Sequence, residues 1–319
     1  MNITKFGEIL RCGLAALAFA ASASAAFAFP TKPIRFIVCT VPGGATDVTT
    51  RIVAQKMSEK IGQQIIVENK PGGDTLLGIL HVKEQPADGY TILAQSLNFN
   101  TLPYIKNNPG YAPSDFIGIG NMSTIPFLMV VGGTQPDKTL GEYVARAQKE
   151  KLTYGHGGVA GAPQIAADLF LKAYGLKEIE VPYKGNGAVM PDIMAGRTSM
   201  FFDAYVSSGE FIRSGKMRAL AVAAPNRIAP LPDVPTFKEL GKDFSFGVWL
   251  GLLARKETPP DVVKALSDAL KAALEDLGPR FRSEGADPTF VTSQEFTAQL
   301  AKEYSDMGKL ASDLKWEKQ

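Results

Sequence analysis

The sequence predicts an α/β fold made of two similar units, because short apolar, strand-like runs alternate with helical patterns twice along the chain. The first series starts with the apolar run at 34–38, and the second starts with the run at 127–131. Strands that alternate with helices in this way are typical of a largely parallel sheet. Two long amphipathic helical patterns near the end of the chain indicate that the last segment covers one of the two units.

The first unit opens with a buried strand at 34–38, a turn formed by Pro42, Gly43 and Gly44, and a helix at 46–61. Pro42 ends the strand, and the two glycines permit backbone conformations that are closed to other residues. The remaining predicted elements of this unit are a strand at 65–67, a helix around 78–84 and a strand at 90–93.

The second unit repeats this alternation and is followed by a return segment. Its predicted elements are strands at 127–131, 152–154, 179–181 and 200–202 and helices at 140–149 and 162–174. The chain then runs through an apolar stretch at 248–254 into amphipathic helices at 260–277 and 293–313. We expect these last helices to pack on the first unit.

This chain order predicts two strands that cross between the units, near 126–131 and near 248–254. Two lobes joined by two strands form a hinge with a cleft between them. The predicted domains are lobe 1 at 29–127 plus 250–319, and lobe 2 at 128–249.

The first 28 residues predict a secretory signal peptide. Lys5 and Arg11 precede a short apolar run at 14–21, and the small-residue stretch that follows ends at Ala28. The run is too short to span a bilayer, which takes roughly 20 apolar residues. We expect cleavage after Ala28 and a periplasmic protein that retains only Cys39, so that no intramolecular disulfide can form.

Composition argues against several classes of function. The chain has 34 Lys and Arg residues and 32 Asp and Glu residues, spread without a basic run, so no nucleic-acid partner is predicted. His81, His156 and one retained cysteine do not supply the clustered ligands that a metal site needs. The sequence has no G-x-S-x-G, H-E-x-x-H or Walker motif. We therefore expect no metal, no cofactor and no enzymatic activity.

The turn after the first strand is the first candidate site. A helix N-terminus with bare backbone amides binds anions, because the aligned peptide dipoles place about half a positive charge there. No Lys or Arg occurs from Cys39 to Thr50, so the amides themselves would hold a carboxylate. The alternative is that Gly43 and Gly44 only make a tight strand-to-helix turn. At the neighbouring sheet edge after Leu93, the candidates are Gln95, Ser96, Asn98 and Phe99.

The second candidate is the glycine-rich loop at 154–163, again between a strand and a helix. It matches the dinucleotide pattern G-x-G-x-x-A, but that site needs an acidic residue at the end of the next strand, and Glu180 lies inside it. A small-anion site at this loop is the favoured interpretation. A Ser–His dyad that uses His156 stays open, and it would make the protein an exported hydrolase.

The third candidate comprises Tyr183 and Lys184, in the loop after the strand at 179–181, together with Asp203. Asp203 closes an apolar strand, at the sheet edge where ligands of α/β proteins bind. Its carboxylate can accept a hydrogen bond from a ligand amine or hydroxyl, or it can cap the next helix. Lys184 is more typical of a solvated loop charge than of a ligand contact.

With these loops defined, the chain resembles the periplasmic solute-binding proteins of tripartite tricarboxylate transporters, the Bug family. The resemblance spans nearly the whole mature chain. It is carried by "FPTKPIRFIV", "PGGATDVTTRIVAQKMSEKIGQQIIVENKPGG", "ADGYTIL", "VPYKGNGAVMPDIMAGRTSMFFDA" and "RALAVAAPNRIAPLPDVPTFKELG". It implies a two-lobed flytrap of the type II periplasmic-binding-protein kind, with membrane transporter subunits as partners. We expect the chain to act as a monomer. A binding protein that presents its ligand to a membrane sensor kinase is an alternative.

The resemblance also implies ligand contacts, position by position. In this family the ligand carboxylate lies between the strand-to-helix loops of the two lobes, and an acidic residue at the place of Asp203 meets the ligand ammonium in relatives that bind amino acids. The implied contacts are Pro42, Gly43, Gly44, Ala45, Thr46 and Asp47 in the first loop, and His156, Gly157, Gly158, Val159, Ala160 and Gly161 in the second. Departures such as Ala160-Gly161-Ala162-Pro163 leave few hydroxyls, which favours an aromatic or poorly hydroxylated mono- or dicarboxylate over citrate.

Overall fold

The computed structural model describes residues 29–43, 45–158, 160–183, 185–314, 316 and 318, so the predicted signal peptide at 1–28 lies outside the described residues. The strands are β1 Ile34–Val38, β2 Ile65–Asn69, β3 Thr91–Ser96, β4 Phe116–Gly132, β5 Thr153–His156, β6 Ile179–Pro182, β7 Met200–Ala204, β8 Met217–Val222 and β9 Gly247–Arg255. The helices are α1 Ala45–Ile61, α2 Leu76–Lys83, α3 Asn98–Ile105, α4 Leu140–Ala147, α5 Ala162–Tyr174, α6 Met190–Met194, α7 Tyr205–Arg213, α8 Pro260–Ser283 and α9 Ser293–Asp313. None of the helices in these ranges is both long and apolar enough to cross a membrane.

The strands form one continuous sheet in the order β2-β1-β3-β9-β4-β7-β5-β6, with β8 paired to β4. In one half, β1 pairs in parallel with β2 and β3, and in the other half β5 pairs in parallel with β6 and β7. The central strands β4 and β9 are antiparallel to their neighbours. The predicted α/β class is therefore confirmed, with a mixed sheet in place of a largely parallel one.

Strand β4 runs through both halves of the sheet. Its first part, Phe116 to Pro126, pairs with β9, and its last part, Phe127 to Gly132, pairs with β7 and β8. The sequence pattern predicted only 127–131, because the earlier part of β4 contains glycines and polar residues that break an apolar run. Together, β4 and β9 are therefore the two crossing strands of a two-lobed fold.

Each half of the sheet has its own core. In the first half, α1 and α8 pack together over the sheet through residues such as Val53, Met57, Leu266 and Leu270. In the second half, the rings of Phe170, Phe202, Phe237 and Phe244 pack against one another at centroid distances of 4.8–6.5 Å. Burial of large aromatic side chains contributes strongly to the stability of such cores.

Helix α9 connects the halves a second time. Its side facing α3 and β9 carries Glu303, whose carboxylate accepts hydrogen bonds from Trp249 Nε1 at 2.8 Å and Asn100 Nδ2 at 2.7 Å. Burial raises the pKa of Glu303, although these two bonds oppose the shift. Further along α9, Met307 and Leu310 pack with Ile165 of α5. The C-terminal end of α9 therefore packs against the helix that follows the second glycine-rich loop.

Candidate ligand-binding site

A cleft of about 830 Å³ opens between the two halves, above the crossing strands. The topology explains its position, because the β1–α1 loop and the β5–α5 loop lie on opposite sides of the β9–β4 pair, each separated from it by one further strand. The floor consists of cleft-facing side chains at alternate positions of the two crossing strands. These are Ser123, Ile125, Phe127, Val248 and Leu250.

The first loop is held in shape by Asp47. Its buried carboxylate accepts hydrogen bonds from the Gly43 amide at 2.9 Å, from Arg51 Nε at 3.0 Å and from Asn69 Nδ2 at 2.8 Å. Gly43 has a φ of 89°, which L-residues rarely adopt. The sequence predicted bare amides in this loop, and the structure differs at Gly43, because the side chain four residues ahead accepts its N–H.

The charge of Asp47 is balanced within the loop. Burial alone would raise the pKa of this carboxyl, but the bonds from Arg51, Gly43 and Asn69 outweigh burial and lower the pKa. The Arg51 guanidinium lies 3.0 Å from the carboxylate as an ion pair one helical turn away. Asp47 is therefore an ionised residue that shapes the loop, and it does not line the cleft.

The second loop is held by an equivalent contact. Gln164 Oε1 accepts a hydrogen bond from the Ala160 amide at 2.6 Å, and Gln164 Nε2 donates to Glu180 Oε1 at 2.9 Å. Ala160 has a φ of 53°, a left-handed conformation that costs a non-glycine residue roughly 1–2 kcal/mol. The Gly161 amide donates to the Gly158 carbonyl at 3.2 Å. Thus the loop amides at Ala160 and Gly161 are also used within the loop.

His156 also contacts the backbone of this loop. It is fully buried, its Nε2 lies 2.7 Å from Glu180 Oε1, and its Nδ1 lies 3.0 Å from the Gly158 carbonyl oxygen. Both ring nitrogens therefore contact a carboxylate or the backbone, and not the hydroxyl that a Ser–His dyad requires. Glu180, the residue considered for a ribose contact, is bonded to His156 and Gln164. The described contacts of His156 thus include no serine hydroxyl, and Glu180 is already bonded within the protein.

Asp203 lies at the wall of the cleft at the end of β7, with only 4% of its surface exposed. Its carboxylate accepts the Ser207 hydroxyl at 2.7 Å. Burial raises the pKa of Asp203 to about 6, despite the opposing effect of the bond from Ser207. No cationic side chain pairs with Asp203 among the described residues. Asp203 is therefore a buried acid that faces the cleft, and its burial favours the neutral form.

Ten of the predicted site residues line the cleft. They are Gly43, Ala45, Thr46, Ser96, Asn98, Gly157, Gly158, Ala160, Gly161 and Asp203. Gly44 and Val159, together with Lys184, lie outside the described residues.

The other predicted site residues stand apart from the cleft wall. They are Pro42, Asp47, Gln95, Phe99, His156 and Tyr183. Gln95 donates to Thr75 Oγ1 at 3.0 Å, and Tyr183 donates to Asp192 Oδ2 at 2.7 Å. Phe99 is fully buried and packs on Phe116. These side chains support the loops and strands that carry the cleft.

The sequence pattern missed the floor of the cleft and the end of α8. The floor residues alternate along two strands, and only the pairing of β4 with β9 brings them together. Phe281, Glu284 and Ala286 at the end of α8 complete this side of the wall. The i, i+2, i+4 spacing of Ser123, Ile125 and Phe127 was the available signal, but it starts directly after a bulge and crosses the predicted start of the strand at 127.

The described wall of the cleft carries acidic side chains and no basic ones. The charged residues that line it are Asp74, Asp203 and Glu284, and no Lys or Arg is found among the described lining residues. Elsewhere in the described ranges, no cluster of three or more His, Cys, Asp or Glu side chains is placed to hold a metal ion. Apart from these acids, the polar groups of the described wall are backbone groups, hydroxyls and Asn side chains.

Two α/β lobes, two crossing strands and a cleft above them define a two-lobed periplasmic-binding-protein fold of the flytrap type. The chain belongs to the family described as "Tripartite tricarboxylate transporter family receptor" (TctC), whose sequence profile matches residues 49–314. Its members are periplasmic solute-binding proteins and not enzymes. The resemblance in the sequence is thus confirmed at the level of fold and family.

Individual relatives match almost the whole chain. The "UPF0065 protein in the TAR-I ttuE-ttuC' intergenic region" of Agrobacterium vitis is 35% identical, over 90% of this chain and 88% of that protein. A protein of R. palustris solved with adipate is 26% identical, with a TM-score of 0.78 over 89% of this chain and 97% of its own. MatC from Rhodopseudomonas palustris, solved with bound malate, is 26% identical, with a TM-score of 0.72 over 88% of this chain and 98% of its own.

Proposed function

We propose that this chain captures a small organic carboxylate in the cleft between its lobes and delivers it to the membrane subunits of a tripartite tricarboxylate-type transporter. The observation that carries the proposal is the meeting of two helix N-termini, one from each lobe, at a single cleft. The relatives solved with adipate and malate are proteins of the same fold with small carboxylates. We also propose that the protein acts as a monomer in the periplasm after cleavage following Ala28.

The donors for the carboxylate would be the amides in the first turns of α1 and α5. The first N–H groups of a helix have no acceptor inside the helix. Ala45 and Thr46 at the start of α1, and Ala162 at the start of α5, line the cleft. Two helix ends that face one anion bring their partial positive charges together, which offsets the lack of a described cationic side chain.

We expect closure of the two lobes to couple these contacts to ligand binding. A ligand shifts an open–closed equilibrium only through a difference in its affinity for the two states. Amides from both lobes can surround one carboxylate only when the lobes are closed over it. The ligand would therefore stabilise the closed form, which is the form that a transporter subunit can recognise.

The rest of the ligand would contact an apolar floor. Ile125, Phe127, Val248 and Leu250 line it, and Phe281 lies at its side. This surface suits a carboxylate with an apolar body, either an aromatic acid or an unbranched dicarboxylate. Asp203 would accept a hydrogen bond from a donor group on the ligand, such as an ammonium or a hydroxyl.

A thermal-shift screen of aliphatic dicarboxylates, aromatic acids and amino acids tests this proposal. A ligand at 100 times its dissociation constant adds roughly 2.7 kcal/mol to the free energy of unfolding. We expect at least one of these acids to raise the melting temperature of the purified mature chain. A flat response to all three groups would contradict a carboxylate-binding role.

A pair of variants at Ala45 tests the amide contact directly. Proline is tolerated at the first position of a helix, where its missing N–H has no intrahelical acceptor, so Ala45→Pro should preserve the fold. Ala45→Gly, which keeps the N–H, is the matched control. Losing a hydrogen bond to a charged group costs roughly 1.5–3 kcal/mol, so calorimetry should show weaker binding by about tenfold or more for Ala45→Pro alone. Equal affinity for both variants would count against this role for the first helix.

A further inference from the structure

One side chain in the cleft floor has an unmet hydrogen-bonding requirement. Ser123 lies on β4 and is almost completely buried, with only 1% of its surface exposed. Its hydroxyl has no hydrogen-bond partner among the described residues. A buried polar group without a partner costs roughly 1–3 kcal/mol, which is large compared with the net stability of a protein.

The position of Ser123 shows where a partner would have to lie. Ser123, Ile125 and Phe127 all line the cleft, as expected for alternate residues on one face of a strand. In the sheet, Leu250 of β9 pairs with Ser123 on one side and with Ser96 of β3 on the other. The three side chains therefore form one row, in which Ser96 and Ser123 are separated by two strand spacings, or about 10 Å.

The two serines differ in their surroundings. Ser96 is half-buried, so water can satisfy its hydroxyl. Ser123 is enclosed, and the cleft-lining residues nearest to it on the two crossing strands, Leu250 and Ile125, are apolar. A hydroxyl in such a place gains a partner only from a molecule that occupies the floor of the cleft.

We propose that Ser123 is a specificity-determining residue, whose hydroxyl binds a second polar group of the ligand at the end away from the loop-bound carboxylate. This inference rests on the proposed function. Ser123 can donate and accept, so it suits a hydroxyl, carbonyl or amide. An additional negative charge is disfavoured there, because no Lys or Arg is found among the described lining residues and burying an unpaired charge is costly. Of the three acids in the wall, Asp74 pairs with Lys106 and Glu284 pairs with Arg280, whereas the buried Asp203 has no described cationic partner. The ligand class is a monocarboxylate with an apolar middle and an uncharged hydrogen-bonding group at its far end.

The test compares acids that differ only at the far end. The probes are butanoate through octanoate against their ω-hydroxy derivatives and their matching dicarboxylates, and benzoate against 4-hydroxybenzoate. Calorimetry is run on the wild-type mature chain and on Ser123→Ala. In the wild type, the best hydroxy acid should bind roughly tenfold more tightly than its plain counterpart. In Ser123→Ala, that ratio should fall to about one while the plain acid keeps its affinity.

Thr50→Val is the matched control. Thr50 of α1 is also fully buried with a hydroxyl that lacks a described partner, but it does not line the cleft. Both substitutions remove an unsatisfied hydroxyl, so neither should lower the melting temperature of the ligand-free protein. Only Ser123→Ala should change the ratio between hydroxy and plain acids.

The outcomes separate this inference from the proposed function. The role of Ser123 is supported if the wild type binds a hydroxy acid more tightly than its plain counterpart and Ser123→Ala abolishes this difference in affinity. An unchanged ratio in Ser123→Ala, or tighter wild-type binding of the dicarboxylates than of the hydroxy acids, overturns it while the carboxylate-binding function stands. If none of these acids binds the wild-type protein, this inference is overturned, and the thermal-shift screen with all three groups of acids decides the proposed function.

Discussion

Replacing Asp203 by Asn should change how the stability of the protein depends on pH. The wild-type carboxyl is 4% exposed, and burial raises its pKa from 3.8 to about 6. Its described side-chain partner is the Ser207 hydroxyl, which bonds both carboxylate oxygens at 2.7 and 2.8 Å. The substituted amide would keep the shape and an acceptor for Ser207 but would carry no charge at any pH.

The size and sign of the effect follow from the pKa. The folded protein holds the Asp203 proton up to about pH 6, whereas the unfolded chain loses it near pH 3.8. Between these values the folded state binds more protons, so the free energy of unfolding falls as pH rises. The full change corresponds to about 3 kcal/mol. Below pH 3.8 the stability of the two proteins should depend on pH in the same way. Above about pH 6 the Asp203→Asn variant should keep the stability that the wild type loses over this pH window.

Urea denaturation of the ligand-free protein from pH 4 to pH 7.5 measures this difference. Subtracting the free energy of unfolding of Asp203→Asn from that of the wild type at each pH removes the contributions of other titrating groups. One such group is Glu178, whose pKa burial raises to about 7. Ser207→Ala is a second variant, because it removes a bond that lowers the pKa of Asp203 and should move the window to higher pH. A difference that stays flat across this range would refute the assignment of Asp203 as a buried, unpaired acid.

Two further comparisons test the packing around the cleft. A Cβ at Gly157 would clash with the Asn186 backbone nitrogen, whereas one at Gly158 would meet nothing within 4 Å. We therefore expect Gly157→Ala to lower the free energy of unfolding by about 1–3 kcal/mol and Gly158→Ala to leave it nearly unchanged, which denaturant unfolding can check. At the contact between α9 and α5, Leu310→Ala should cost about 2–5 kcal/mol, because the side chain is buried. Lys172→Ala should cost less than about 1 kcal/mol, because its ion pair is exposed, and similar losses in both would contradict this reasoning.

The local parts of the site were predictable from the sequence. A strand, a glycine turn and a helix follow one another within a few residues, so the pattern defines the loops around Gly43 and Gly157 without knowledge of the tertiary structure. The alternation of elements likewise predicted the α/β class. Element ends were less certain, as α8 shows, which continues past Pro279 to Ser283.

The nonlocal parts were not predictable in the same way. The floor of the cleft exists because β4 pairs with β9, and residues more than a hundred positions apart meet there, such as Ser123 and Leu250. The direction of a side chain within a predicted loop also depends on tertiary contacts. His156 was expected to contact the ligand, yet it is buried at the end of β5 and bonded to Glu180 of the neighbouring strand.

The two loops are held by the same kind of side-chain-to-backbone hydrogen bond, although their sequences differ. In each lobe, the third residue of the helix accepts a hydrogen bond from the amide four residues before it, Asp47 from Gly43 and Gln164 from Ala160. This contact fixes the turn, and it leaves the first amides of the helix as the donors available to a ligand. The lobes differ in charge, because Asp47 places a negative charge at the first helix end and needs Arg51 to balance it, whereas Gln164 is neutral. At the second helix end the nearby carboxylate is Glu180, which is bonded to Gln164 and His156, and Pro163 leaves the first turn of α5 with one amide fewer. Each helix end therefore combines free amides with one carboxylate that is already bonded within the protein, so we expect both ends to contribute to holding a ligand carboxylate.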